Sequence, residues 1–272
     1  MKGPSKVGDV LAGRTIIITG PASGIGAAYA RICAINGAKL LLLDRDADGL
    51  AARADELRGL GAEVVEYVVD VSDGDAVDRV FASIEQEHTP DGAFLNAGIN
   101  GTTSFRLPEG ELQNTSREIW HRVLGVNLHG FFYTLQRTAG LLKKAGRGTI
   151  VVTSSTAGER PEPLIGYAYI ASKAAVTAVS RQAALELSKW GIRINVIAPG
   201  SFRTNIAGPL PPPPGKIETW NRSIPLGRHG RTEELEDLAL LLISDRSSFM
   251  TGGVYVVDGG ATALTQVLAD QL

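Results

Sequence analysis

Tyr169 and Lys173 stand four residues apart in Tyr169-Ile-Ala-Ser-Lys173. On a helix, positions i and i+4 share one face. A free phenol, with a pKa of about 10, is a poor base at neutral pH. An ammonium beside it favours the phenolate and lowers that value. Such a pairing makes a tyrosine usable as a general acid or base in hydride chemistry. Upstream, Thr153-Ser-Ser-Thr-Ala-Gly158 supplies a run of hydroxyls. Alone, a Tyr-x-x-x-Lys pair also occurs on plain exposed helix faces, so the surrounding elements must supply the test.

Those elements begin with Thr15-Ile-Ile-Ile-Thr19, a β-branched run that reads as a buried strand. Gly20, Gly24 and Gly26 punctuate the turn that follows, and Ile25 to Asn36 reads as a helix. Strand, glycine turn and helix set backbone N–H groups and a helix N-terminus against a phosphate. A second strand, Lys39-Leu-Leu-Leu-Leu-Asp44, ends in an acid 18 residues after Gly26. A carboxylate there accepts hydrogen bonds from the ribose hydroxyls of NAD and repels the 2′-phosphate of NADP. Arg45 pulls the other way, because a guanidinium stacks on adenine and pairs with phosphate. Read alone, Asp44 also suits a helix N-cap or a loop acid. Asp70 and Val71 follow the third strand, where they bracket an adenine. Asn96, Ala97 and Gly98 follow the fourth, with small residues where backbone and cofactor approach closely.

Alternation continues along the chain. Helices are predicted over 46–59, 72–87, 116–144, 167–190 and 232–243, the last capped at Thr232, and strands over 63–69, 92–95, 148–153, 192–198 and 253–257. Residues 101–115 and 199–231 read as loops, the latter holding four prolines at 211–214. Strands alternating with helices predict a parallel sheet with right-handed crossovers. The expected fold is α/β: a single doubly wound, Rossmann-type domain over residues 1–272, with a seven-stranded parallel sheet flanked by helices.

Composition narrows the function classes. Apolar residues make up 44% of the 272, enough for a sizeable core. The net charge of −2, with both signs scattered, predicts neither a nucleic-acid surface nor a membrane patch. One cysteine, Cys33, excludes an intrachain disulfide. Histidines at 88, 121, 129 and 229 are not spaced as ligands, so no metal is expected. The opening MKGPSKVGDVLAG has no long apolar run, which predicts no signal peptide, no membrane span and a cytoplasmic location. The sequons at Asn114 and Asn221 then carry no meaning.

Taken together, Thr19-Gly-x-x-x-Gly-x-Gly26, Asp70, Asn96-Ala-Gly98, Asn127, Ser155, Tyr169-x-x-x-Lys173, Pro199-Gly200 and Asp258-Gly-Gly260 follow one another in a single pattern. The chain resembles the classical short-chain dehydrogenase/reductase family over about residues 9–262. The resemblance implies a nicotinamide cofactor, NAD by the Asp44 reading, and a small alcohol or ketone substrate. It implies that Tyr169 exchanges the substrate proton and that Lys173 lowers its pKa and holds the nicotinamide ribose. Ser155 would bond the substrate oxygen, and Asn127 would hold a water linking Lys173 to solvent. Gly20, Ser23, Gly24, Ile25 and Gly26 would carry the pyrophosphate, and Pro199, Gly200 and Thr204 would wall the nicotinamide. Ser155 and Tyr169 together would serve as the oxyanion donors. A dinucleotide-binding sensor without turnover is the competing reading, and it has no use for all four of Asn127, Ser155, Tyr169 and Lys173.

Three features depart from the family pattern. Leu95 stands where an asparagine is usual. The stretch 101–115 is longer than in compact members. Ser155 lies fourteen residues before Tyr169, one more than usual, which leaves Thr156 as a rival hydroxyl. Tyr167 rivals Tyr169 but has no lysine four residues on.

The stretch 205–224 is expected to form a substrate lid, with Ile206, Leu210, Ile217 and Trp220 over the substrate and Gly208 and Gly215 as hinges. An apolar, cyclic or aromatic secondary alcohol is the expected substrate. The alanine-dense helix 167–190 and the family resemblance together predict a homotetramer, or otherwise a homodimer.

Overall fold

The computed structural model describes residues 9–101, 103–204, 206, 221 and 223–264. One seven-stranded sheet runs through it in the order β3-β2-β1-β4-β5-β6-β7. Its strands are β1 (Thr15–Thr19), β2 (Lys39–Asp44), β3 (Val64–Val68), β4 (Gly92–Leu95), β5 (Gly148–Thr153), β6 (Ile192–Pro199) and β7 (Val254–Val257). Every neighbouring pair is parallel. The expected parallel α/β sheet of the Rossmann type is present.

The pleat explains the apolar runs. Ile17, Leu41 and Leu43 point into one core, while Ile16, Ile18, Leu40 and Leu42 point into the other. Both faces are covered, so the strands read as continuous apolar segments rather than alternating ones. On the first face lie α3 (Gly74–Glu87), α5 (Phe131–Ala145) and α6 (Tyr167–Leu187), through Phe81, Leu142 and Val176 among others. On the second lie α1 (Gly24–Ile35), α2 (Ala47–Gly59) and α7 (Glu236–Ile243), through Tyr29, Leu50 and Leu242. The strand order turns back between β1 and β4, and in such sheets ligands bind beyond the carboxyl ends of the strands at that point.

Element boundaries moved where capping chemistry decided them. Asp46 and Asp73 sit outside α2 and α3 as N-caps, their carboxylates accepting from the Gly49 and Ala76 N–H groups at 3.1 and 3.0 Å. The predicted helix 116–144 is three pieces: α4 (Arg117–Leu124), a π-helical turn (Gly125–Gly130) and α5. The loop 101–115 carries two short 3-10 turns, Pro108–Gly110 and Leu112–Asn114. The Thr232 segment starts as a 3-10 turn capped from Arg231, not Thr232: the Glu234 carboxylate accepts from the Arg231 N–H at 2.8 Å. Most of the expected lid, Leu210, Ile217, Trp220, Gly208 and Gly215 included, lies outside the described residues. Of its members, Ile206 is exposed and Ile224 is buried against Gly259.

Candidate active site

The glycine turn is shaped by backbone demands that exclude side chains. Gly20 and Gly24 have φ of +72° and +60°, the left-handed region that favours glycine. A Cβ on Gly26 would sit 2.0 Å from the Gly20 carbonyl oxygen. Ser23 caps α1 without a side-chain hydrogen bond, and no acid stands in the first turn, which includes Ile25. The N-terminal N–H groups and positive dipole end of α1 are thus offered to an anion.

Thr19 ties this turn to β4. Its Oγ1 accepts from the Asn96 and Ala97 N–H groups at 2.9 and 3.1 Å. Asn96 Nδ2 donates back to the Thr19 and Gly20 carbonyls, each at 3.3 Å. The Asp44 carboxylate reaches across from β2 and accepts from the Ala22 N–H at 3.0 Å and the Asp46 N–H at 3.1 Å. Lone pairs remain on both oxygens for ribose hydroxyls. Arg45 is exposed and turned toward Asp70 at 4.0 Å. Asp70 also holds Ser72, through N–H at 2.9 Å and Oγ at 2.7 Å. The Val71 side chain is buried in the core. Pro199 ends β6, and Gly200 packs so closely on Asp258 that a Cβ would lie 2.7 Å from its Cβ. Thr204 lies against Gly24, at the phosphate end of the turn. A glycine turn, an uncapped helix N-terminus and an acid at the end of β2 fit a nicotinamide dinucleotide.

The reactive groups converge from β5 and α6. Ser155 follows β5, with its Oγ accepting from the Ala157 N–H at 3.1 Å and its hydroxyl beside the Tyr169 phenol. Thr156 is buried within the 3-10 turn Thr156–Gly158. Lys173 Nζ donates to the Thr153 carbonyl at 2.9 Å and lies 5.7 Å from the centre of the Tyr169 ring. Gly98 gives it room: a Cβ there would be 3.5 Å from Nζ and 3.3 Å from Asn127 Oδ1. Tyr167 instead lines a separate cavity with Thr103, Glu109 and Ile119.

Asn127 sits in the π turn between α4 and α5. Its Oδ1 accepts from the Ile99 N–H at 2.8 Å, and its Nδ2 donates to the Ile99 carbonyl at 2.8 Å and to Ser172 Oγ at 3.2 Å. Ser172 Oγ donates on to the Tyr169 carbonyl at 2.7 Å. The side chain is therefore a clamp between the end of β4 and α6. A small cavity lined by Asn127, Thr134, Thr153 and Lys173 adjoins it, enclosing about 10 Å³, close to what one water needs.

Burial dominates the electrostatics. It pushes the Tyr169 phenol up to about 12, against a pull downward from the Ser155 hydroxyl. It pushes the Lys173 ammonium down to about 8. The expected lowering of the phenol by Lys173 is not produced by the protein groups alone. The ammonium bonds to Thr153 and lies beside the ring, and desolvation of the phenolate outweighs it.

Thr19, Thr153 and Ser172 hold the site together and were not singled out as site residues from sequence. Thr19 lay inside the fingerprint. The other two act through a carbonyl and a bridging hydroxyl, which residue type does not reveal.

Residues 20–262 match a family described as enoyl-(acyl carrier protein) reductase. The chain is 34% identical over 270 residues to trans-4-hydroxycyclohexanecarboxylate dehydrogenase of Sinomonas cyclohexanicum, covering 95% of this chain and 96% of that one. It is 36% identical over 265 residues to levodione reductase of Leifsonia aquatica, covering 92% and 94%. A short-chain type dehydrogenase/reductase structure from Mycobacterium marinum superposes with a TM-score of 0.87 at 35% identity, over 94% of this chain and 98% of that one. The chain belongs to the short-chain dehydrogenase/reductase family. As a member it is an oxidoreductase of the alcohol and ketone class that works with a nicotinamide cofactor. A 3-oxoacyl-[acyl-carrier protein] reductase structure from Brucella melitensis, with NAD bound, is a further neighbour, with a TM-score of 0.82 at 33% identity over 94% and 93%. Among the described residues, no cluster of three His, Cys, Asp or Glu side chains is arranged to hold a metal, and no helix is long and apolar enough to cross a membrane.

Proposed function

We propose that this family member is an NAD-dependent secondary-alcohol dehydrogenase and ketone reductase, with Tyr169 as general acid/base. One observation carries the reading: the Ser155 hydroxyl and the Lys173 amine both sit beside the Tyr169 phenol, at the carboxyl edge of β5 next to the glycine turn. The bound cofactor supplies or takes up hydride at the substrate carbon. Tyr169 gives the proton to the carbonyl oxygen in reduction and takes it from the alcohol in oxidation. Ser155 donates a second hydrogen bond to that oxygen and stabilises its developing charge. The buried Lys173 ammonium favours the phenolate once both are enclosed with substrate, because a charge acts more strongly away from water. Asn127 positions α6 through Ser172 and Ile99.

Preference for NAD rests on Asp44, whose Oδ2 is fixed by the Ala22 N–H where a ribose 2′ substituent would approach. The substrate reading follows two relatives, a trans-4-hydroxycyclohexanecarboxylate dehydrogenase and a levodione reductase. Assembly as a homotetramer or homodimer draws support from Phe132 on α5 and Leu185 on α6, which expose 47% and 75% of their surface. A screen of NAD+ reduction over aliphatic, aromatic, sterol, sugar and cyclic secondary alcohols tests the function. NADH formation with at least one alcohol, abolished in Tyr169→Phe and retained in Tyr167→Phe, is expected. Turnover that survives Tyr169→Phe refutes the assignment.

A further inference from the structure

For Ser155 to face Tyr169, the end of β5 must meet the first turns of α6. The chain that joins them, residues 159–166, holds Pro161 and Pro163 and forms neither helix nor strand. It also carries the extra residue of the long serine-to-tyrosine interval. Reacting groups need placing to within about 0.5 Å, and an irregular loop of altered length does not supply that. Direct bonds between β5 and α6 do.

Tyr169, Lys173 and Thr177 follow at intervals of four and run down one side of α6. The end of β5 meets that side at successive residues. The Thr153 carbonyl takes the Lys173 ammonium, and the Ser155 hydroxyl lies beside the Tyr169 phenol. Between them stands Ser154, 2% exposed. Its N–H donates to the Ile197 carbonyl of β6 at 2.8 Å, so its backbone belongs to the sheet. Its Oγ donates to the Lys173 main-chain carbonyl at 3.0 Å and lies 2.8 Å from Oγ1 of the buried Thr177. A hydroxyl has one proton and two lone pairs. With the Ser154 proton given to Lys173, the Thr177 proton goes to Ser154 Oγ. Both hydroxyl protons are then used. Gly158 closes the same contact, since a Cβ there would lie 2.8 Å from the Lys173 carbonyl carbon and oxygen.

These bonds select a register where apolar packing does not. A helix carbonyl has one lone pair beyond the need of its own helix, and it accepts along a restricted direction. Slipping α6 by one residue turns it by about 100°. Lys173 and Thr177 would both leave Ser154, and its buried hydroxyl would be left unpaired.

We propose that Ser154, paired with Thr177, is a positioning residue for hydride transfer: it locks α6 to the sheet in the register that sets Tyr169 and Lys173 against Ser155. The loop 159–166 follows that register and does not set it. The proposal rests on the hydride-transfer reading above and gives a task to a side chain that takes no part in the chemistry itself.

Hydrogen exchange on the NADH-loaded protein is the first arm of the test and needs no turnover. Amides of 169–177 are expected to exchange about 10-fold faster in Ser154→Ala, while those of α5 keep their wild-type rates. Thr177→Val gives the same change, and Thr177→Ser, which keeps a hydroxyl, returns to wild-type exchange. Unchanged exchange in Ser154→Ala overturns the proposal. Kinetics with NAD+ and cyclohexanol, 1-phenylethanol and 2-butanol form the second arm. In Ser154→Ala, kcat is expected to fall about 10-fold with KM for NAD+ unchanged. Adding Thr177→Val lowers it no further, because both changes open one circuit. Ser180→Ala is the control and keeps wild-type kcat: it removes a buried hydroxyl that bonds the Val176 carbonyl of its own helix at 2.7 Å. Faster exchange with wild-type kcat makes Ser154 a structural residue only and overturns the proposal. An equal drop in Ser180→Ala also overturns it, since loss of any buried hydroxyl then suffices. Oxidation of none of the three alcohols by wild type, or turnover that survives Tyr169→Phe, goes against the hydride-transfer reading, and the expected exchange then leaves the lock standing.

Discussion

Replacing Lys173 by methionine is expected to stabilise the fold at neutral pH while abolishing turnover. Lys173 is 3% exposed, and burial lowers its pKa from 10.5 to about 8. At ~1.4 kcal/mol per tenfold change in protonation, holding the ammonium inside at pH 7 costs about 3 kcal/mol. Methionine is unbranched, flexible and uncharged, and it fills the same channel. It forfeits the bond to the Thr153 carbonyl, made at 2.9 Å. That loss is worth ~1–2 kcal/mol, so the net gain is about 1–2 kcal/mol. Because the folded pKa lies below the unfolded one, the unfolded chain binds the extra proton between pH 8 and 10.5. Wild-type stability therefore rises with pH through that window. The advantage of the variant is full below pH 8, shrinks above it and reverses near the top of the window. Tyr169 acts in the opposite sense: its raised pKa makes stability fall as pH climbs from 10 toward about 12, equally in both proteins. Urea unfolding followed by tryptophan fluorescence, at pH 7, 8.5 and 9.5 and one protein concentration, reads the difference. A variant less stable than wild type at pH 7, or a difference flat across the three pH values, refutes the reasoning.

Three further outcomes follow from the same geometry. Ser155→Ala should lower kcat by about 100-fold or more, as loss of an oxyanion donor does, whereas Thr156→Val, inside its buried turn, should keep most activity; steady-state kinetics decides, and a larger loss at Thr156 places the register one residue off. Asp44→Ala should lower the ratio of kcat/KM for NAD+ over NADP+ by about 10-fold or more, and an unchanged ratio removes Asp44 from cofactor choice. Thr19→Val preserves shape but strips the acceptor of two N–H groups, so it should destabilise by ~2–5 kcal/mol in urea titration, and a loss within experimental error would mean that those N–H groups find other partners.

Much of this was readable from residue types alone. The run Ile16-Ile17-Ile18, the leucines 40–43 and the glycine spacing implied a sheet covered on both faces and a phosphate-ready turn, because burial and positive φ restrict which residues each position tolerates. Tyr169 and Lys173 share a face by helical period. Chemistry that passes through the backbone was hidden. The Thr153 carbonyl that holds Lys173, the Ser172 bridge and the π turn at Asn127 depend on where β5, α6 and the end of β4 meet. No local signal encodes the π turn within 116–144, at whose end Gly130 passes so close to Val71 that a Cβ would lie 2.7 Å from Val71 Cγ2. The direction of the Tyr169 shift was hidden too. Sequence offered an ammonium nearby and implied a lowered pKa, but the tertiary structure buried both groups, and in a medium that solvates charge poorly the loss of water outweighs a neighbour placed beside the ring.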